Sequence, residues 1–300
     1  MSQQLAITST ESMRCIRSLF KSLRPPLLTS GLLFAWVASA PATSAPPECA
    51  LTLPPTIEQG HLVRGQLSPG CTVALGERDL RVSDDGWFAF GVDRDAPAEI
   101  ELRIRSPLGS EAKKTLPIAA RRYPISRIDG IAPQMVEPPP QLARRIARER
   151  AALAQSRQTD DPRSDFAAPF IWPARGRISG VYGSQRIFNG VPKSPHLGLD
   201  IAAPTGTPLV APAAGIIAFT QPDQYLNGGV VIIDHGHGVS STFIHMSRID
   251  VRAGQRVNQG DPVGAIGATG RTTGPHLHWG LNWFERQLDP WPLLPPPKRN

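Results

Sequence analysis

The sequence predicts an all-β protein interrupted by one linker helix, and three observations carry that expectation. Ile100, Leu102 and Ile104 alternate with Glu101, Arg103 and Arg105, the period of two that marks a half-buried strand. Gly and Pro recur every few residues from 170 to 290, and no run there shows helical periodicity, so strands joined by turns are expected. By contrast, Gln141 to about Arg157 is rich in Ala, Arg and Leu and places Leu142, Ile146 and Leu153 near one helical face.

In chain order, residues 1–42 read as a secretion signal. Arg14, Arg17, Lys21 and Arg24 precede an apolar stretch from Leu27 to Ala38, and Ala40-Pro-Ala42 fits a small-x-small cleavage site. The apolar run is shorter than the roughly 20 residues needed to cross a bilayer, so membrane attachment is expected only if this segment stays uncleaved. Removal of the signal takes Cys15 with it and leaves Cys49 and Cys71 as an even pair in an exported protein, for which a disulfide is expected. Residues 43–131 show short strands with turn signals at Ser68-Pro-Gly70, Asp84-Asp-Gly86 and Ser106-Pro-Leu-Gly109. This pattern predicts a small β-sandwich-like domain with no catalytic constellation, suited to spacing or to binding cell-envelope partners. Residues 132–166, with Pro138-Pro-Pro140 at their head, form a proline-rich linker and the helix. Residues 167–294 form the main β domain, and 295–300 are a tail. In that domain Gly228 to Asp234 reads as a buried strand and Val239 to Met246 as the next, with His235-Gly-His-Gly238 as the turn between them. His235 and His237 therefore mark a hairpin tip and are not expected to bind metal.

The net charge of +7 is unevenly placed. Residues 43–166 balance 17 basic against 17 acidic side chains, whereas 167–300 carry 11 against 7. A weakly positive face suits a carboxylate-rich polymer. Nucleic acid is excluded as a partner because no basic cluster is interleaved with aromatics.

The chemistry resides in three short segments: His196-Leu-Gly-Leu-Asp200, Phe-Ile-His245-Met-Ser, and Gly-Pro-His276-Leu-His278. Together they supply one carboxylate and four imidazoles. Side chains at i, i+2 and i+4 of a strand share a face. If 196–200 are extended, His196 and Asp200 then lie on one side of Gly198 while Leu197 and Leu199 face the core. The same alternation sets His276 beside His278 with Leu277 behind them. Two histidines and a carboxylate with an open fourth position make a catalytic zinc arrangement, whereas structural zinc sites are closed by four protein ligands.

The run from Pro195-His196 to Asp200, then Pro204-Thr-Gly206-Thr-Pro208, then His245, then Gly274-Pro-His276-Leu-His278 resembles the lysostaphin/LytM family of zinc metallopeptidases, peptidase family M23, over roughly residues 170–292. The resemblance implies a LytM-like antiparallel β catalytic domain in which His196, Asp200 and His278 bind Zn2+. It also implies that His276 and His245 flank the metal, with His276 as main base and His245 as oxyanion stabiliser or proton donor. One departure is visible. Where many members follow the His-x-His pair with an aromatic and Glu, this chain has Trp279-Gly280, which changes no ligand but bears on the groove. The activity implied is hydrolysis of peptide cross-links in peptidoglycan. Export without wall-anchoring repeats points to a Gram-negative periplasm, though an extracellular location is compatible, and hence to D-Ala to diaminopimelate bonds. Two other readings share the scaffold: a non-catalytic regulator of cell-wall amidases, and an extracellular protease acting on proteins.

Overall fold

The computed structural model describes residues 49–130 and 136–295; the expected signal segment 1–42 and the tail beyond 295 lie outside the described residues. Seven strands come first: β1 (Leu51–Thr52), β2 (Leu62–Leu67), β3 (Thr72–Leu75), β4 (Arg78–Leu80), β5 (Trp87–Gly91), β6 (Glu99–Arg105) and β7 (Glu111–Pro117). They form a three-stranded sheet, β1-β2-β5, and a four-stranded sheet, β4-β3-β6-β7. In β6 the predicted alternation holds: Leu102 and Ile104 are buried, while Glu99, Glu101 and Arg105 are exposed. On the wet face Lys113 meets Glu101 at 3.0 Å and Arg105 meets Glu111 at 3.1 Å, exposed pairs worth well under about 1 kcal/mol each.

A disulfide joins Cys49 to Cys71 across 22 residues, tying the start of this region to the edge of β3. Closing a loop of that length removes unfolded-state entropy worth about 3 kcal/mol. The Cys49→Ser, Cys71→Ser double variant is therefore expected to unfold at a clearly lower denaturant midpoint; an unchanged midpoint would show that the bridge contributes nothing.

Strand β8 (Ile125–Ile128) departs from the expected grouping. Although it falls within 43–131, it pairs in parallel with β10 (Gln185–Phe188), which also pairs with β11 (Val191–Pro192). Its sequence, Ile-Ser-Arg-Ile, is too short to reveal a partner 60 residues away. Helix α1 (Pro140–Ser156) follows the proline run, with Pro at its first turn, where the missing N–H is not needed.

The remaining strands are β9 (Arg177–Gly180), β12 (Leu199–Ala202), β13 (Pro208–Val210), β14 (Gly215–Gln224), β15 (Gly228–Asp234), β16 (Val239–Ile249), β17 (Arg256–Val257), β18 (Pro262–Ile266), β19 (His276–Trp283) and β20 (Arg286–Leu288). They make one ten-stranded sheet with the path β17-β14-β15-β16-β19-β12-β9, while β13, β18 and β20 attach at its sides. Apart from α1, the described residues contain only two short 3-10 turns, at Asp165–Ala167 and Trp291–Leu293. No helix among the described residues is long and apolar enough to cross a membrane.

The two faces of this sheet have different fates. Leu199, Ile201, Val231, Ile233, Phe243, Leu277 and Leu281 point into the main apolar cluster. The alternate residues Val230 and Ile232 pack with Leu153 of α1 in a smaller cluster flanked by Ala218, Phe219 and Ile244. Polar contacts hold α1 on that second face: Arg145 donates to the Asp223 carbonyl, and Glu149 accepts from the backbone N–H of Tyr225 at 3.0 Å. The main cluster also takes in Phe88, Phe90 and Leu102 of the first sheets and Phe166 and Phe170 beyond the helix. Arg64 reinforces that junction by donating to the carbonyls of Phe166, Ala167 and Ala168 at 3.3, 3.2 and 2.9 Å.

Candidate metal centre

The sheet face beneath α1 also carries the histidines. Strands β12 and β19 pair antiparallel with Asp200 opposite His278 and Ala202 opposite His276. Cross-strand partners share a face, so the carboxylate and both imidazoles of β19 meet on one side while Leu277 is fully buried on the other. His196 arrives differently from the expected extended segment. The strand begins only at Leu199, and Leu197 is half-buried. His196 reaches the centre from the irregular chain before β12, held by its backbone N–H to the Ser184 carbonyl at 2.8 Å and its carbonyl to the N–H of Gly183 at 2.6 Å.

His196 Nε2 and His278 Nδ1 stand 2.9 and 2.8 Å from the same oxygen, Asp200 Oδ1, and 2.9 Å from each other. The His196 Nδ1–H donates to the Val181 carbonyl at 3.0 Å, which leaves Nε2 as a lone pair facing inward. Two imidazoles and a carboxylate directed at one point, with no thiolate, fit a metal cation of the zinc type. Steric relief supports that fit. A Cβ at Gly198 would lie 2.6 Å from the His278 ring, and one at Gly180 would lie 2.3 Å from Asp200 Oδ2, so any side chain at either position would fill the space the ligands occupy. Burial alone would raise the Asp200 pKa, but hydrogen bonds and charge from His196 and His278 hold the carboxyl well below its ordinary range. Burial pushes His278 down to about 4 against the opposing pull of Asp200. Both groups are therefore in their ligating protonation states at neutral pH.

His276 and His245 sit beside the three ligands. His276 Nε2 is 3.9 Å from Asp200 Oδ1, while its Nδ1 lies 2.9 Å from the Gly274 carbonyl and 3.1 Å from Thr272 Oγ1. The His245 ring is 4.8 Å from that of His276, and its Nδ1–H donates to the Thr269 carbonyl at 2.8 Å. In both rings, then, Nδ1 is committed to backbone and Nε2 is available. Ile244 lies opposite His278, so regular alternation would turn His245 to the opposite face, towards the core. A φ of +66° at His245, close to register shifts against β15 and β18, re-aims the ring into the centre; a non-glycine residue held there marks backbone strain at a working position. Burial, and then the neighbouring His276 and His278, push His245 down to about 3.

His235 and His237 do not join the centre. They lie in the turn between β15 and β16, as expected, but both are buried. His235 donates through Nδ1 to the Ala214 carbonyl at 2.7 Å, accepts from Ser241, and meets Phe170 edge-on, while His237 tilts against Phe166. They anchor the segment that follows α1. Arg186, unforeseen from the sequence, donates to Asp200 Oδ2 at 3.2 Å and leaves Oδ1 for the shared point. It comes from β10, and neither its spacing nor its neighbours signal the contact.

A three-donor centre on an antiparallel sheet, with two further imidazoles alongside, defines a metallopeptidase-type site. The sequence model of peptidase family M23 matches residues 194–290, from just before His196 to just past the last strand, so this stretch of the chain carries that family's sequence pattern. It is similar to the peptidoglycan DD-endopeptidase ShyA of Vibrio cholerae, 38% identical over 109 residues, which are 36% of this chain and 25% of that protein. It is also similar to the cell division protein DipM of Caulobacter vibrioides, 31% identical over 166 residues, 53% of this chain and 26% of that one. The chain thus spans about a quarter of the length of these curated relatives. A solved structure of an M23 peptidase from Pseudomonas aeruginosa superposes with a TM-score of 0.60 at 29% identity and covers 79% of this chain and 94% of that one. That likeness extends well beyond residues 194–290.

Proposed function

We propose that this chain is an exported zinc metalloendopeptidase that hydrolyses peptide cross-links of peptidoglycan in the periplasm, at bonds of the D-Ala to diaminopimelate kind. The convergence of His196, Asp200 and His278 beside His276 and His245 carries the reading, because peptide hydrolysis needs those groups together and simple binding does not. The naming of ShyA as a peptidoglycan DD-endopeptidase supports the substrate class. Within this reading, residues 43–131 are a small positioning module, 132–166 a linker and helix, and 167–294 the peptidase.

Zinc held by His196, Asp200 and His278 would supply Lewis acidity, acidifying water and polarising the scissile carbonyl. The chain's own residues do the rest. Arg186 fixes the Asp200 carboxylate. His276, with Nδ1 anchored by Gly274 and Thr272, offers Nε2 as general base for the attacking water and returns that proton to the leaving amine. His245, neutral at rest because of its burial, takes a proton from bulk solvent onto Nε2 as negative charge develops before it, donates that N–H to the oxyanion, and releases the proton to solvent when the carbonyl re-forms.

The test is digestion of purified sacculi by the full chain. Cross-linked muropeptide dimers are expected to fall and monomers to rise, with glycan strands intact; a chelator should stop the reaction and added zinc restore it. Loss of folded protein substrates with dimers untouched would replace this reading with that of a general protease. Zinc-loaded protein inert on both would leave the regulatory reading.

A further inference from the structure

A cavity of about 320 Å³ lies between α1 and the sheet and reaches the metal ligand His278 at one end. Its floor is the β16/β19 pair, with Ile244 opposite His278, Thr242 opposite Gly280 and Ser240 opposite Asn282. His278, Gly280 and Asn282 occupy alternate positions of β19 and so share the face of the metal centre. The cavity therefore extends along the strand from His278, at roughly 7 Å per pair of residues.

Its walls carry donors without partners, and the carboxylate in its lining, Glu149, is already taken by Arg145 and the Tyr225 N–H. Arg157, the C-cap of α1, donates Nη2 to Thr242 Oγ1 at 3.1 Å, and its buried Nε has no partner. Thr242 in turn donates to Asn282 Oδ1 at 3.5 Å, leaving Asn282 Nδ2 unpartnered on a residue with 0% exposure. The chain Arg157 to Thr242 to Asn282 thus fixes the amide so that its oxygen is used and its N–H₂ is not. Among the described residues Arg157 forms no ion pair, and the nearby Glu285 is taken by Gln158 at 2.7 Å. Burial lowers the Arg157 pKa to about 10, with Glu285 opposing, yet it remains a cation at neutral pH. Arg157 and Asn282 both line this cavity, and each carries a buried donor without a protein partner, one of them on a cation, which calls for an anionic acceptor. Gly280 keeps the floor open. A Cβ there would meet nothing closer than 3.8 Å, so glycine is not required by crowding, and its small size leaves the space free.

We propose that this cavity is a carboxylate-binding subsite, in which Arg157 and Asn282 hold a free carboxylate of the peptide substrate about one or two strand pairs from the scissile bond. The inference rests on the peptidase reading above and adds to it the group that fixes the substrate's register.

A synthetic cross-linked stem-peptide dimer, with each free carboxylate converted in turn to a carboxamide, tests it on the zinc-loaded full chain. One amidation is expected to lower kcat/KM by about 10-fold or more, the size of a hydrogen bond to a charged group. That penalty should shrink towards unity in Arg157→Gln. It should shrink likewise in Gly280→Glu, which sets a carboxylate in the cavity from the other wall and does not depend on the helix. If no single amidation matters in the native chain, or if the penalty survives in both variants, the proposal fails. Calorimetric binding of the same peptides separates the two readings. Carboxylate-selective binding without cleavage overturns the peptidase and keeps the subsite, whereas cleavage without selectivity keeps the peptidase and overturns the subsite.

Discussion

His196→Ala and Asp200→Ala are expected to lose bound zinc and cross-link cleavage together. Each removes one of the three donors that meet within 2.8 to 2.9 Å of one another, and no other carboxylate, cysteine or histidine among the described residues joins that group. Of the two flanking imidazoles, His276 is 3.9 Å from Asp200 Oδ1, and both have their Nδ1 bound elsewhere. Outer-shell changes alone cost about 10- to 100-fold in metal affinity, so removing a ligand should cost more than that and leave the purified variant essentially metal-free. Arg186→Gln provides the comparison. It frees Asp200 Oδ2 without deleting a donor, so zinc should bind more weakly, within that same 10- to 100-fold range. Elemental analysis of protein purified without chelator, followed by zinc titration, measures all three. Full zinc occupancy in His196→Ala or Asp200→Ala would show that the metal is held elsewhere.

Why part of this centre can be read from the sequence, and part cannot, follows from the range of each signal. The His276-Leu-His278 alternation is local, and any strand through it must set both rings on one face; β19 does so. The helix over 141–157 was legible for the same reason, since Ile146 and Leu153 lie on one face and both are buried. The approach of His196 was not, because 196–198 is positioned by backbone bonds to Gly183 and Ser184 that any residue could make. His245 is the sharpest case. Strand alternation would aim it at the core, and only its left-handed backbone, with the carbonyls of Asn227 and Thr269 as acceptors, turns it towards His276 and the candidate centre. Backbone carbonyls carry no side-chain signature, so no motif could announce them. The contacts of β8 with β10 and of Arg186 with Asp200 span 60 and 14 residues, and in neither case does local pattern specify the partner. The burial of His235 and His237 has a similar origin: the flanking glycines mark the hairpin tip and say nothing of the segment around Phe166 and Phe170 that folds over it.

Variants of the two flanking histidines should separate from the ligand variants by keeping their zinc while losing turnover. For His276→Ala the reasoning is direct: the three donors remain, and the general base is gone, a loss of about 10²-fold or more. His245 needs a different substitution, because alanine at a φ of +66° would add backbone strain to the loss of the ring. Asparagine tolerates the left-handed region better than most residues, so His245→Asn removes the imidazole with less disturbance of the turn of chain that carries it. Its turnover is expected to fall by a comparable factor, since an oxyanion-stabilising donor is worth about 10²- to 10³-fold. Metal content and dimer cleavage are measured on the same preparations. Zinc lost from His276→Ala but kept in His278→Ala would exchange the roles within the pair. Turnover kept in His276→Ala and lost in His245→Asn would make His245 the base.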